Sequence, residues 1–279
     1  MSYNLNDDKI SDDLSSVLNE LSNLGLKPLL GVELEFYILG AVSDQLLKAI
    51  TAETGIEVQK EKGINQYEIA TDTFDSVLSL INYVNLIKEK IISIGVSYGV
   101  TISFRPKPFP NDYGSGMHIH MSFIDKDKNN IFNAGAIDEN RYLLHNIGGI
   151  LHLLNMSLAM IIDHSKEEFD RLHNSQLTPS TVSWGKNNRT TAIRIPDSHP
   201  SNRNRRIEFR VPSASSDLSN CIIFLLTSAI YGIKKMLLPG DCIYGNANDT
   251  TYNLVSLHKN VDDMKIAFRF WDIFNDLFK

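Results

Sequence analysis

Cysteine is nearly absent: the 279 residues hold two, Cys221 and Cys242, both near apolar stretches. That excludes a disulfide framework or a cysteine-held metal as an organising feature, and both read as buried thiols. Charge of one sign is also lacking. The 33 acidic and 27 basic side chains give a formal net charge of -6, so nucleic acid is not expected as a partner. Apolar runs such as IIFLLTSAIYGI at 222–233 fall short of the ~20 residues that cross a bilayer, so no membrane partner is expected. The opening residues MSYNLNDDKISDD are acidic where a secretory signal is basic and then apolar, which favours the cytoplasm. Repeats, low-complexity segments and glycine-rich phosphate loops of the familiar kinds are missing too. Gly114-Ser115-Gly116 is too short to count as one.

What remains is enough apolar content, 43% of the chain, to build a substantial core. Helical spacing of Ile10, Leu14, Val17, Leu18 and Leu21 predicts a helix over 9–25. Strict alternation then predicts a strand through LKPLLGVELEFYILG, with Val32, Leu34, Phe36 and Ile38 on one face and Glu33 and Glu35 on the other. A helix over 42–54, two short strands around the turn at 63–65, and a long helix over 74–95 capped by Gly95 follow. Strands are expected at 99–104 and 117–125, separated by the proline-rich loop RPKPFPNDYGSG. Helices are expected at 138–162 and 165–172, and residues 173–190 read as a long polar excursion of the lid or binding-loop kind. Strands TTAIRIP and RRIEFRVP flank the loop DSHPSNRN. A helix over 218–238, capped by Asp217 or Ser219, and a C-terminal helix over 261–278 complete the chain. Scattered, mostly antiparallel strands among long helices define an α+β fold.

Four pairs or triplets could carry chemistry. Glu33 and Glu35 share one face of a strand, where like charges repel unless a cation lies between them; a solvated strand face is the plain alternative. Glu61 and Glu68, on opposite arms of a tight turn, either converge or are surface charge. His118 and His120 repeat the same-face geometry in imidazole, and carboxylates with a single imidazole suit Mg²⁺ or Mn²⁺ better than zinc. Period two in RRIEFR aligns Arg206, Glu208 and Arg210, either as a structural ion-pair ladder or as part of an anion site. Between 186 and 210 stand Lys186, Arg189, Arg194, Arg203, Arg205, Arg206 and Arg210, against only Asp197 and Glu208. Clustered guanidinium forks match phosphate or carboxylate oxygens, and arginines with carboxylate-held metals are the pairing that phosphoryl transfer requires.

The ordered series GVELEF, NQYEI, GSGMHIHMS, NRTTAIRIP and RRIEFRVP resembles the catalytic domain of the glutamine synthetase family, from about Gly31 to Ile233. GSGMHxHxS and NRxxxIRIP at this separation are specific; ExE alone is weak. The resemblance implies a curved antiparallel sheet backed by helices, akin to the guanidino kinases. It also implies an ATP-dependent ligase that forms an acyl phosphate and lets an amine displace the phosphate. Glu35, Glu61 and Glu68 match the ligands of one divalent metal, and Glu33, His118 and Glu208 those of another, giving two or three Mg²⁺ or Mn²⁺ sites. His120 and Ser122 match positions near the nucleotide, and Arg189, Arg194 and Arg206 match arginines that hold phosphates. Arg171 matches the clamp on the substrate α-carboxylate, with Arg210 and Gly114 also on the substrate side. Residues 1–279 are expected to be one such catalytic domain, with 1–28 a helical segment foreign to the family and 240–279 a C-terminal helical segment. Amino acid and amine substrates and a small homo-oligomer are the expected partners.

Three departures fall on the substrate side. The family's N-terminal β-grasp domain, which lends an aspartate to a neighbouring subunit's site, has no counterpart in the segment ahead of Glu33. The flap RLVPGYEAP reads RLHNSQLTP, so that its proton-accepting glutamate falls on Leu177. Tyr113 stands where glutamate-specific members carry asparagine. The expected reaction therefore joins an acid, glutamate among the candidates, to an amine other than ammonia. Competing expectations are a glutamine synthetase completed by a partner subunit, a phosphotransferase, and a non-catalytic nucleotide-binding regulator.

Overall fold

The computed structural model describes residues 7–198 and 203–278; the first six residues and the centre of the 197–204 loop lie outside the described part. Helix α1 (Asp7–Asn23) leads into the long strand β1 (Lys27–Leu39), helix α2 (Asp44–Thr54) and short strands β2 (Gln59–Lys60) and β3 (Gln66–Ala70). Helix α3 (Val77–Ser97), strands β4 (Thr101–Ser103) and β5 (Met117–Ile124), and helices α4 (Arg141–Ile161) and α5 (Lys166–Asn174) come next. Strands β6 (Trp184–Lys186), β7 (Ile193–Ile195) and β8 (Ile207–Phe209) precede helices α6 (Leu218–Lys235), α7 (Val261–Ala267) and α8 (Phe270–Phe278).

The strands form one open sheet in the order β2-β3-β1-β5-β8-β7-β6, with β4 paired to the end of β1. All pairings are antiparallel except β6 with β7. This is the α+β sheet backed by helices that the alternation predicts. Leu30, Val32, Leu34, Phe36 and Ile38 of β1 are buried in the core beside Ile119, Met121 and Phe123 of β5 and Phe209 of β8. The apolar face is thereby committed to the helices. Period two then leaves Glu33, Glu35, His118, His120 and Glu208 to the other face.

Helix α1 is integral to this layer. Leu14, Val17 and Leu21 are buried, contributing about 1.5–3 kcal/mol each, and Lys234 of α6 reaches Glu20 at 2.7 Å. The core continues through α4 and α6 to Met264, Phe270 and Phe274, so both terminal segments share it.

Three local expectations change. Gly95 does not cap α3; the helix runs past it to Ser97 and closes at Gly99, whose φ is 71°, while a Cβ at Gly95 would meet Ile102 Cγ1 at 2.6 Å. Its role is close packing against β4. The C-terminal helix is two, broken at Phe268 and Arg269, whose extended Phe268 lets α8 turn its aromatic face inward. The polar excursion 173–190 contains strand β6, whose three residues are too few to show a period. Helix α4 is long and apolar enough to cross a membrane, a length that 222–233 alone did not reveal. Most of it is buried inside the fold against α6, as a core helix is.

Candidate active site

The sheet register brings the charged residues into one row. Across β1–β3, Glu35 faces Glu68; across β1–β5, Glu33 faces His118. On β5 and β8, His120 faces Glu208, which in turn faces Arg194 of β7. Directly opposed like charges such as Glu35 and Glu68 destabilise a sheet unless something compensates them.

The row converges on His118. Ligand atoms of Glu33, His118 and Glu208 lie within 4.8 Å of one another, as do those of Glu35, Glu68 and His118. Each triad could hold a metal ion. His118 Nδ1 lies 3.2 Å from Glu33 Oε2 and 3.8 Å from Glu208 Oε1. His120 Nδ1 accepts from Arg206 Nε at 2.9 Å, leaving its Nε2, 2.9 Å from Glu33 Oε1, to carry the hydrogen. Glu35 Oε2 accepts from Gly116 N at 2.7 Å and from Gln66 Nε2 at 3.2 Å. Glu61 lines the same cavity without joining either triad.

Neutralisation is uneven. Burial penalises the Glu33 carboxylate, but His118 and His120 outweigh that and hold its pKa well below the usual range. Burial acts likewise on Glu208, fully enclosed, and Arg210, His118, His120 and Arg194 hold it low. Arg194 donates to Glu208 Oε2 at 2.7 Å, and Arg210 bonds Oε1. On the other side, burial raises Glu35, and Glu68 is pushed up to about 9 by burial and by the charges of Glu33, Glu35, Glu61 and Glu208. A set of converging oxygen ligands and one imidazole, with an excess of negative charge, fits Mg²⁺ or Mn²⁺.

The opposite wall is cationic. Arg189, Arg194 and Arg210 line this cavity of about 260 Å³. Arg189 is exposed and its carbonyl accepts from Arg210 Nε at 3.1 Å. Glu33 also borders a second, larger cavity of about 890 Å³, lined by His120, Ser122, Asn130, Arg206 and Thr71. A space of this size suits a nucleotide-sized ligand.

The remaining wall is the segment 175–179. Leu177 has a φ of 60°, a strained left-handed conformation for leucine, and its carbonyl accepts from Arg210 Nη2 at 3.3 Å. Tyr113 Oη donates to Gln176 Oε1 at 3.1 Å, and Lys107 Nζ donates to Ser175 Oγ at 2.5 Å. The flap is therefore fastened at three consecutive residues. Gly114 and Gly116 are both needed for close approach: a Cβ would meet Arg171 Cγ at 2.3 Å in the first case and His118 Nε2 at 2.6 Å in the second. The GSG spacing thus seats Arg171 and the central imidazole.

Arg171 borders the cavity, but its Nε and Nη2 face inward, to Glu168 and the Val211 carbonyl. Sequence reasoning missed Glu168, although its i, i+3 spacing from Arg171 on a helix was available. It also missed Gln66, only 2% exposed, whose amide spans Glu35 and the Gly114 carbonyl. The sequence signal was its place two residues before Glu68, on the same strand face.

An open antiparallel sheet that gathers carboxylates and imidazoles opposite guanidinium groups, beside a nucleotide-sized cavity, defines a class: proteins built to hold divalent cations and phosphate together. Within that class, this chain belongs to the glutamine synthetase catalytic-domain family, whose model (glutamine synthetase, catalytic domain) matches residues 42–264. Glutamine synthetase of Azotobacter vinelandii is 30% identical over 204 residues, covering 71% of this chain and 42% of that protein. The enzyme of Nostoc sp. is 32% identical over 201 residues, covering 68% and 40%. The chain thus spans about two fifths of the length of the curated relatives it matches. In fold it resembles a GmaS/ADP complex, with a TM-score of 0.82 at 21% identity over 97% of this chain and 70% of the other. Plasmodium falciparum glutamine synthetase superposes with a TM-score of 0.73 at 20% identity, covering 81% and 56%. The family model begins after β1, so Glu33 and Glu35 join the site through strand pairing with β3 and β5.

Proposed function

We propose that this chain is an ATP- and Mg²⁺- or Mn²⁺-dependent carboxylate–amine ligase, which activates an acid as its acyl phosphate and joins it to an amine other than ammonia. The observation that carries the proposal is the shared imidazole: His118 belongs to both carboxylate triads, and Arg194 and Arg210 bond Glu208 of the same row. Glu33, His118 and Glu208 would hold one ion, and Glu35 and Glu68 with Glu61 nearby would hold another. Such ions, when bound, supply positive charge to phosphate oxygens.

The chain's own residues do the rest. His120, Ser122 and Arg206 border the larger cavity and orient the nucleotide there; GmaS, which shares this fold, was solved with ADP. Arg189, Arg194 and Arg210 are positioned for the charge that develops on a transferred phosphoryl group. The flap residues Ser175, Gln176, Leu177, Thr178 and Pro179 offer no carboxylate to draw in ammonium or take its proton. The favoured nucleophile is therefore an amine that arrives neutral, with Leu177 and Tyr113 shaping its side of the pocket. Their role there is to exclude water.

The test is a screen for ADP release over carboxylic acids crossed with amines, at saturating ATP and Mn²⁺, with Glu68→Ala as the inactive control. Turnover that needs both an acid and a non-ammonia amine is expected. Tight nucleotide binding with no ADP release under any pairing would replace this reading with a regulatory one.

A further inference from the structure

Behind the cavity wall lies a second buried ion pair that the metal triads do not use. Glu168 and Arg171 stand one turn apart on α5, 0% and 2% exposed. Glu168 Oε1 accepts from Arg171 Nε at 3.0 Å and lies 3.0 Å from Nη2. Arg171 Nη2 also bonds the Val211 carbonyl. The Nε–Nη2 edge is the fork by which an arginine grips a carboxylate with two parallel bonds. Here it is already turned onto an internal partner. The Gly114 backbone lies across the arginine's stem, and the Tyr113–Gln176 hydrogen bond closes the same end of the cavity.

An anion entering beside Tyr113 and Gly114 therefore meets an arginine whose Nε–Nη2 edge is already taken. Drawing the fork off Glu168 would strand a fully enclosed carboxylate, a loss comparable to at least about a hundredfold in binding. Leaving the fork in place gives the incoming carboxylate only Arg171 Nη1 and not the paired edge. Both routes disfavour a substrate with a second carboxylate at this end.

We infer that Glu168 is a specificity-determining residue: by occupying Arg171, it selects a monocarboxylic acid substrate, neutral or cationic where glutamate carries its α-carboxylate. This rests on the ligase reading above.

The probes are glutamate and 4-aminobutyrate, which is glutamate without the α-carboxylate. Binding of each is measured by calorimetry on the Mn²⁺-loaded protein with a non-hydrolysable ATP analogue, and phosphate release is measured in parallel with ATP and the panel of non-ammonia amines. Wild-type protein should bind 4-aminobutyrate at least tenfold more tightly than glutamate. Glu168→Gln, which keeps the volume and removes the charge, should move the preference at least tenfold toward glutamate. Wild-type affinity for glutamate equal to or above that for 4-aminobutyrate overturns the inference, and that comparison needs no variant. So does a glutamate affinity that Glu168→Gln leaves unchanged. Absence of phosphate release with either acid would count against the ligase reading alone, since the calorimetric preference is decided separately.

Discussion

Glu68 offers the sharpest handle on the carboxylate cluster, because its environment favours the protonated form. Its pKa is pushed up to about 9 by burial and by four neighbouring carboxylates, so the folded chain keeps a proton that the unfolded chain releases near 4.5. The unfolded state then binds fewer protons, and stability falls as pH rises from about 4.5 through about 9. At about 1.4 kcal/mol for each pH unit, a single such group costs nearly 3 kcal/mol between pH 6 and pH 8. Sharing of protons within the cluster and partial solvent screening reduce this to about 1–2 kcal/mol. For a chain of this size that corresponds to a fall of about 2–6 °C in melting temperature. A divalent cation that binds ionised carboxylates reverses the trend, since its affinity rises as their protons leave. Differential scanning fluorimetry at pH 6 and pH 8, in EDTA and then in excess Mn²⁺, reads both effects, and the Mn²⁺-induced rise should be larger at pH 8. Glu68→Gln should flatten the pH dependence, raise the metal-free melting temperature at pH 8, and lose most of the Mn²⁺ response. A Glu68→Gln protein that melts lower than wild type at pH 8 in EDTA and keeps the full Mn²⁺ response would refute the reasoning.

Gly116→Ala places a methyl group 2.6 Å from His118 Nε2, and an aromatic ring held on a strand cannot yield by a small rotation. The displaced imidazole should weaken Mn²⁺ binding at least tenfold in an electron paramagnetic resonance titration, with a stability loss of only about 1–3 kcal/mol. Leu177→Glu returns a carboxylate to the flap and should create ammonia-dependent ADP release in a coupled assay. If the variant shows none, the flap does not set amine choice. The same substitution brings a charge beside the bond from Arg210 to the Leu177 carbonyl, and its stability, read by thermal melting, should stay within about 1 kcal/mol of wild type.

Much of this site was legible before any coordinate. Alternation in GVELEF, MHIHM and RRIEFR fixes which side chains share a face, and the sheet needs only the correct strand order to align Glu35 with Glu68 and Glu33 with His118. Strand order itself is a tertiary fact, which is why convergence of Glu61 and Glu68 stayed open. Glu61 lines the cavity, yet its carboxylate bonds the neighbouring Lys62 amide and joins neither triad. Arg171 is the instructive case. Its sequence context points to a substrate clamp, whereas its burial and its bond to Glu168 depend on how α5 packs beneath the Gly114 loop. Short elements were the other loss: β6 is three residues long, and a single extended residue at Phe268 splits the last helix.

His118 stands at the boundary between two electrostatic regimes, and that position explains the arrangement of the whole row. On the β8 side, Glu208 already has two guanidinium partners, so a cation approaching it competes with Arg194 and Arg210. On the β3 side, Glu35 and Glu68 face each other with no arginine bonded to either among the described residues. A cation therefore gains most beside Glu68, where it relieves repulsion, and gains less beside Glu208 until something else engages the two arginines. Polyphosphate is the ligand able to do that, because its oxygens match the guanidinium forks released from Glu208. On the ligase reading proposed above, the row of alternating residues would link cation and phosphate occupancy through the arginines themselves.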